Sequence, residues 1–187
     1  MRPLTIEPPA WLDDVVDRER AYRTDEERMR LAIALSRENV RRDLGGPFGA
    51  AVFEAESGRV VSVGTNLVVR HHNSTLHAEM VALMLAEREV GSFTLAGPDL
   101  PRHELVTSCD PCAMCLGAVL WSGVVRVVAG AMREDAVAFG FDEGPVFPES
   151  YRYLEHRGIG IVRGVLREEA RAVLELYRSR GGALYNG

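Results

Sequence analysis

The stretch Thr107-Ser108-Cys109-Asp110-Pro111-Cys112-Ala113-Met114-Cys115 contains three cysteines and follows a run of β-type residues. Its last two, Cys112 and Cys115, lie three residues apart after an Asp-Pro pair. Asp followed by Pro is a common helix start, because the Asp side chain caps the first turn and Pro fits the first helical position. The pattern therefore predicts a strand over Glu104–Ser108 and a helix from Asp110 to about Trp121. At a helix start, Cys112 and Cys115 can face one point, and free backbone N–H groups stabilise their thiolates.

A second motif, His77-Ala78-Glu79, lies roughly 35 residues upstream and opens a predicted helix that runs to about Glu87. One imidazole and two thiolates suit Zn²⁺, and three protein ligands leave the fourth tetrahedral position for water, as in catalytic sites. We therefore predict that His77, Cys112 and Cys115 bind zinc. Glu79 is too close to His77 to be a comfortable fourth ligand, and we expect it to carry protons during the reaction.

Each motif alone also fits a plain structural role. The two cysteines fit buried core thiols, and the histidine fits a residue at a helix cap. Cys109 ends a strand and is predicted to be a buried structural cysteine. The other four histidines are predicted to lie in loops without a role: His71, His72, His103 and His156.

Composition limits the class of protein. The chain has 187 residues and a formal net charge of -5, which favours one domain and argues against a long nucleic-acid interface. It has no run of 18 apolar residues and no leader pattern, so we expect a cytoplasmic protein without a membrane segment. Three cysteines argue for metal binding over a disulfide framework. Residues 1–23 are expected to form an irregular extension with room for one short helix, and residues 181–187 a tail that closes the active site.

The remaining pattern alternates between strands and helices after an opening hairpin. That order predicts a three-layer α/β/α sandwich around a mixed sheet, with two antiparallel strands followed by βα units. The further predicted elements are a helix over Thr24–Leu44 ended by Gly45-Gly46-Pro47, strands over Phe48–Glu54 and Arg59–Asn66 joined by a turn at Glu56-Ser57-Gly58, strands over Val124–Gly130 and Gly158–Val165, and a helix over Arg167–Arg178.

Taken together, the two motifs match the H-x-E…P-C-x-x-C signature of zinc deaminases. From about Gly45 onward the chain resembles the cytidine deaminase superfamily, and within it the bacterial guanine deaminase branch. The resemblance rests on Gly46-Pro47-Phe48-Gly49-Ala50, on both metal motifs and on Gly140-Phe141-Asp142-Glu143. It implies a five-stranded mixed sheet and a homodimer, and it leaves open whether the C-terminal tail with Tyr185 closes the site of its own chain or is exchanged to that of the partner.

The resemblance also implies roles for individual residues. Asn66 matches an asparagine that hydrogen-bonds the substrate ring, Phe48 an aromatic that stacks on the base, and Trp121 a pocket wall. Glu143 matches an acidic residue that faces the purine edge and assists proton transfer, so it joins Glu79 as a catalytic candidate. The full set of expected substrate-binding residues is Phe48, Asn66, Ala78, Trp121, Phe141 and Tyr185.

The implied reaction is hydrolysis of guanine to xanthine and ammonia. Cytosine, cytidine, adenosine and the aminotriazine ammeline remain alternative substrates, because motif spacing does not reveal pocket contacts. A tRNA adenosine deaminase shares the zinc motif, but the acidic chain and the segment Phe141-Asp142-Glu143 argue against it. A non-enzyme with structural zinc is disfavoured, since only three good ligands are visible and a Glu lies beside them.

Overall fold

The computed structural model describes residues 5–186. Its strands are β1 (Gly49–Glu54), β2 (Val60–Thr65), β3 (His103–Cys109), β4 (Arg126–Ala131) and β5 (Gly160–Val162). Its helices are α1 (Leu12–Val15), α2 (Asp25–Arg41), α3 (Val68–His71), α4 (Ala78–Val90), α5 (Ala113–Ser122), α6 (Arg133–Ala138), α7 (Pro148–His156) and α8 (Arg167–Ser179).

The five strands form one mixed sheet in the order β2-β1-β3-β4-β5. β1 pairs antiparallel with both β2 and β3, whereas β3, β4 and β5 run parallel. Gly58 takes a φ of +72° in the hairpin turn, a conformation that glycine adopts at no steric cost. Because β1 runs antiparallel to the other four strands, its start and their ends meet at one edge of the sheet. The predicted mixed sheet is confirmed.

Helices cover both faces of the sheet and give the predicted three layers. α2 and α8 pack on one face, where Met29, Leu35, Phe53, Val106 and Leu174 form a core. α4 and α5 pack on the other face, around Val52, Leu83, Leu105, Val119 and Val127. Two strand glycines allow close approach, because a Cβ at Gly49 would meet the backbone of α2 and one at Gly64 the backbone of α4.

The N-terminal segment is more integrated than an irregular extension. The predicted short helix is present as α1, and Trp11, Leu12 and Val16 are buried in the core shared with α2. Ala21 forms an antiparallel bridge with Arg59. Residues 1–4 of this segment and Gly187 of the tail lie outside the described residues. None of the helices within residues 5–186 combines the length and the apolar content needed to cross a bilayer.

Several predicted boundaries are wrong. Asp110 does not cap the zinc-motif helix, since α5 begins at Ala113 with Cys112 in the N-cap position. α2 ends three residues before Leu44, and Asp43 then takes a left-handed φ of +56°. The loop placement fails for three histidines, which lie in α3, β3 and α7: His71, His103 and His156. The sequence pattern does not predict the short helices α3, α6 and α7.

Candidate active site

Two helix starts face each other at the edge of the sheet where β1 begins and the other strands end, and each carries a predicted metal ligand. His77 is the N-cap residue of α4 and Cys112 that of α5. Both have extended backbones, with ψ of 158° and 174°, and neither side chain is used for a capping hydrogen bond. Their imidazole and thiol groups are therefore free to bind a ligand, while Cys115 reaches the same point from the first turn of α5.

The spacing of these three side chains fits a tetrahedral zinc ion. Nδ1 of His77 lies 3.5 Å from Sγ of Cys112 and 3.7 Å from Sγ of Cys115. Zn–S bonds of about 2.3 Å and Zn–N bonds of about 2.0–2.1 Å at a tetrahedral angle separate nitrogen and sulfur by about 3.5 Å. All three ligand atoms lie within 4.8 Å of one another. The residues present thus fit the metal without rearrangement, as predicted.

The two thiols differ in protonation, and only that of Cys112 already favours metal binding. Hydrogen bonds from Cys115 and His77 lower the pKa of Cys112 to about 4, so this thiol is a thiolate at neutral pH. The pKa of Cys115 is raised, mainly because it donates its hydrogen to Cys112. Burial raises the pKa of Glu79 to about 7, and the Cys112 thiolate adds to the effect. A carboxyl group with this pKa can both accept and donate a proton near neutral pH.

Asn66 follows β2 and is fully buried, and its backbone N–H donates to the carbonyl of Phe48, which lines the cavity, at 3.1 Å. Its Oδ1 accepts hydrogen bonds from the backbone N–H groups of Gly46, at 3.4 Å, and Val68, at 3.3 Å. Two donors on one oxygen determine the orientation of the carboxamide. Nδ2 is buried and has no hydrogen-bond partner in the described chain. A buried donor of this kind points to a ligand acceptor.

Glu143 lies on the loop before α7 and is 6% exposed. Its backbone carbonyl accepts the N–H of Ala113, which joins this loop to the start of α5 at 3.0 Å. Burial, followed by the nearby Cys112 and Glu79 charges, raises the pKa of the Glu143 carboxyl to about 8. The side chain lines the same cavity as His77 and Glu79.

The C-terminal tail covers the cavity of its own chain. Asn186 is tied to Asp142 twice: its Nδ2 donates to the Asp142 carbonyl at 2.8 Å, and its own carbonyl accepts the Asp142 N–H at 3.0 Å. The Tyr185 ring lies 6.4 Å from the His77 ring and 5.5 Å from the Phe141 ring. The free space left between the lining residues is about 10 Å³, roughly what one water molecule needs.

Aromatic rings support the cavity from behind. Phe48 lines it and packs edge-on against Phe141 at 5.1 Å. Phe141 is 3% exposed and packs in turn on Tyr177 and Tyr185, so it holds Phe48 and the tail in place without lining the cavity.

The size of a cavity does not identify this site, since a larger cleft of about 500 Å³ near Pro9 and Arg88 contains none of the metal-binding residues.

Among the expected substrate-binding residues, only Phe48 lines the cavity, and five do not: Asn66, Ala78, Trp121, Phe141 and Tyr185. Trp121 lies at the end of α5 with its side chain 77% exposed, so the pocket-wall assignment is wrong for this chain taken alone. Ala78 is fully buried, and its methyl group packs in the core under α4, which leaves only its backbone for substrate contact.

Sequence reasoning missed two residues that line the cavity, Asp110 and Asn186. The Asp-Pro pattern predicts a cap role for Asp110, but its actual partners, Arg133 and Arg163, lie far along the chain. Asn186 has only a weak signal in the sequence, a polar residue directly after Tyr185 in the tail.

Comparison with known proteins agrees with this geometry. The family model of the cytidine and deoxycytidylate deaminase zinc-binding region matches residues 22–131. Guanine deaminase of Bacillus subtilis (strain 168) is 34% identical over 140 residues, which cover 75% of this chain and 85% of that relative.

Solved structures extend the likeness over almost the whole chain. Guanine deaminase from Nitrosomonas europaea shares 43% identity with a TM-score of 0.90, over 95% of this chain and 97% of that one. A crystal structure of a substituted protein in complex with 8-azaguanine shares 42% identity with the same TM-score and coverage. The chain therefore belongs to the cytidine and deoxycytidylate deaminase family, within its guanine deaminase branch, and is a zinc-dependent hydrolase of C–N bonds.

Proposed function

We propose that this enzyme hydrolyses guanine to xanthine and ammonia, a step of purine metabolism. The observation that carries the proposal is the fixed carboxamide of Asn66, which has an unused buried donor in Nδ2 and is joined through its backbone N–H to the carbonyl of the cavity-lining Phe48. Guanine offers ring-nitrogen and carbonyl acceptors to such a donor, and N–H groups to an acidic residue such as Glu143. The guanine deaminase relatives and the 8-azaguanine complex of a related protein support the same choice.

His77, Cys112 and Cys115 are the residues that would hold the metal. When bound, zinc supplies the Lewis acidity that makes water a nucleophile near neutral pH. Glu79 accepts a proton from that water and donates it to the exocyclic nitrogen, a transfer that its pKa of about 7 permits in both directions. The bond between C2 and the exocyclic nitrogen of guanine breaks, a C2–O bond to the oxygen of water forms, and the nitrogen leaves as ammonia.

Other residues of the cavity and of the tail bind and enclose the base. Phe48 stacks on the ring, Glu143 contacts the purine edge and assists proton transfer, and Tyr185 with Asn186 closes the site. About 10 Å³ of free space is far too small for a purine, so the tail has to move for substrate to enter. Gly181, with a φ of +71°, and Gly182 are the first residues of the tail and allow such a movement.

We also propose that two copies of the chain associate through the outward face of α5. The α5 segment Ala113–Ser122 contains no charged residue, and a helix that is apolar all round is normally covered. Leu116 and Leu120 of α5 form a groove with Tyr153 of α7, beside the exposed Trp121. Because this face is apolar and uncharged, a second copy of the same face is its expected occupant, and Trp121 then becomes buried. The tail lies on its own chain here, so the proposed dimer does not require exchange.

The cytoplasmic location also stays a prediction, supported by three cysteines that form no disulfide.

The deciding experiment measures ammonia release from guanine, cytosine, adenine, their nucleosides and ammeline. We expect the highest kcat/KM with guanine. Failure with guanine, together with strong activity on cytosine or ammeline, would contradict the substrate while leaving the zinc chemistry intact. A salt-dependent gel shift with tRNA tests the editing alternative, and we expect no complex at physiological salt. An inert, zinc-loaded protein across the whole panel would instead indicate a structural metal.

A further inference from the structure

Asp110 carries a carboxylate that is completely buried at the active site and does not act as a helix cap. Three N–H donors surround it. Nε of Arg163 donates to Oδ1 at 2.9 Å, Nη2 of Arg163 donates to Oδ2, and the backbone N–H of Arg133 donates to Oδ2 at 2.8 Å. The negative charge of Asp110 is therefore fully compensated within the chain.

Arg163 is itself held in one orientation. It directly follows β5, and its guanidinium lies over the ring of Tyr151 in α7, 4.6 Å from the ring centroid. Two parallel N–H···O bonds to one carboxylate fix both distance and angle, which a single bond does not. Arg163 thus connects the end of β5 and helix α7 to the loop that follows β3.

That loop leads directly to the metal. The backbone N–H of Asp110 donates to the carbonyl of Ala131 at 2.8 Å, so the residue is held by the sheet on one side and by Arg163 on the other. Only Pro111, whose φ is restricted, separates it from Cys112. Cys112 has no capping hydrogen bond of its own that would fix its position.

We propose that Arg163 is a positioning residue of the metal centre. By fixing Asp110 it fixes the entry of the chain into α5, and thereby the distance between the Cys112 sulfur and His77. The inference goes beyond the choice of substrate and depends only on zinc binding by the three ligands.

The test compares Arg163→Met and Arg163→Lys with a matched control, Arg126→Met. Arg126 has the same 29% side-chain exposure and also makes a two-bond pair, with Asp25, but it lies at the opposite end of β4 from the metal. Zinc affinity is measured by competition with a chromophoric chelator. The cobalt-substituted proteins are compared by the absorption bands that report tetrahedral thiolate coordination.

We expect Arg163→Met to weaken zinc binding by about 10- to 100-fold and to alter the cobalt bands, as loss of outer contacts to metal ligands does elsewhere. Arg163→Lys should fail to restore either property, because an ammonium group cannot form the planar two-bond pair. Arg126→Met should lose thermal stability but keep the zinc affinity and the cobalt spectrum of the unaltered protein.

Zinc affinity within threefold of the unaltered protein in Arg163→Met would overturn the proposal, and so would full restoration by Lys. If Arg163→Met does not fold, Asp110→Asn replaces it. Weakened zinc binding by folded Asp110→Asn supports the positioning role, and unchanged binding refutes it. Guanine deamination is not a readout here, so failure of this inference is separate from failure of the proposed substrate.

Discussion

Substitution of Gly46 by Ala tests whether closure of the tail governs catalysis, because it disturbs Tyr185 without altering any group that reacts. A Cβ at Gly46 would lie 2.8 Å from Cε1 and 2.9 Å from Cζ of Tyr185, and closer still to the hydroxyl oxygen. Ordinary van der Waals contact begins at 3.4 Å, so Cε1 must move outward by about 0.6 Å and the hydroxyl oxygen by more than that. The backbone of Gly46 does not have a positive φ, so Ala adds no conformational strain.

A misplacement of about 1 Å at an active site can cost about 100-fold in rate. We therefore expect Gly46→Ala to lower kcat/KM for guanine by roughly 10- to 100-fold, or about 1.4–2.7 kcal/mol of transition-state stabilisation. Zinc content and melting temperature should stay near those of the unaltered protein. Steady-state kinetics by ammonia release gives the first quantity, and metal analysis with thermal unfolding gives the others.

Two controls isolate the cause. Gly97→Ala introduces the same methyl group at a position where the nearest atom is 3.5 Å away, and it should be silent. In a Tyr185→Ala background, Gly46→Ala should have almost no further effect, because the atoms it meets are gone. If Gly46→Ala is fully active, or if its loss persists undiminished without the Tyr185 ring, the closed tail is not what limits this enzyme.

Three further predictions concern chemistry, assembly and stability. Glu79→Gln should keep zinc near normal and reduce kcat by about 10²–10⁴-fold, measured by ammonia release, and substantial retained activity would exclude Glu79 as the proton carrier. Trp121→Glu should shift the protein from dimer to monomer in analytical ultracentrifugation, while Val137→Glu, at an exposed position of α6, should not. A dimer of the Trp121→Glu variant would refute the α5 interface. The hydrogen bond from Arg167 holds the pKa of Asp135 below its ordinary value of 3.8. The stabilising effect of this carboxylate is therefore complete above pH 3.8, and it is lost as the pH falls through the lowered pKa of the folded protein. Asp135→Asn should cost about 1 kcal/mol at pH 7, or about 2–4 °C in Tm, and thermal scans should show the difference shrinking below pH 3.8.

The metal centre was predictable because its signal is local. His77 and Glu79 share a helix turn, and Cys112 and Cys115 share another, so short spacings in the sequence translate directly into a shared direction in space. The hairpin and the two long helices α2 and α8 were likewise evident from apolar periodicity and turn residues. Only the meeting of these two motifs in space depends on the fold and could not be derived from the spacing of residues.

The incorrect predictions share a different cause, which is that residues distant in the sequence contact the side chain or the helix face in question. The Asp-Pro start of α5 is locally sound, yet Arg163, 53 residues away, takes the Asp110 carboxylate, and Cys112 becomes the cap residue. Trp121 has the composition of a pocket residue but points away from the site, because the buried face of α5 is taken by Cys115 and Val119. Periodicity within one element carries no information on which face another element will cover.

Since His77 and Cys112 begin their helices without a capping hydrogen bond, a bound ion also serves as the anchor for both first turns. Folding and metal loading are then linked equilibria, and each tenfold increase in free zinc above the dissociation constant adds about 1.4 kcal/mol to the free energy of unfolding. The melting temperature of this protein is accordingly a function of how much zinc its surroundings hold.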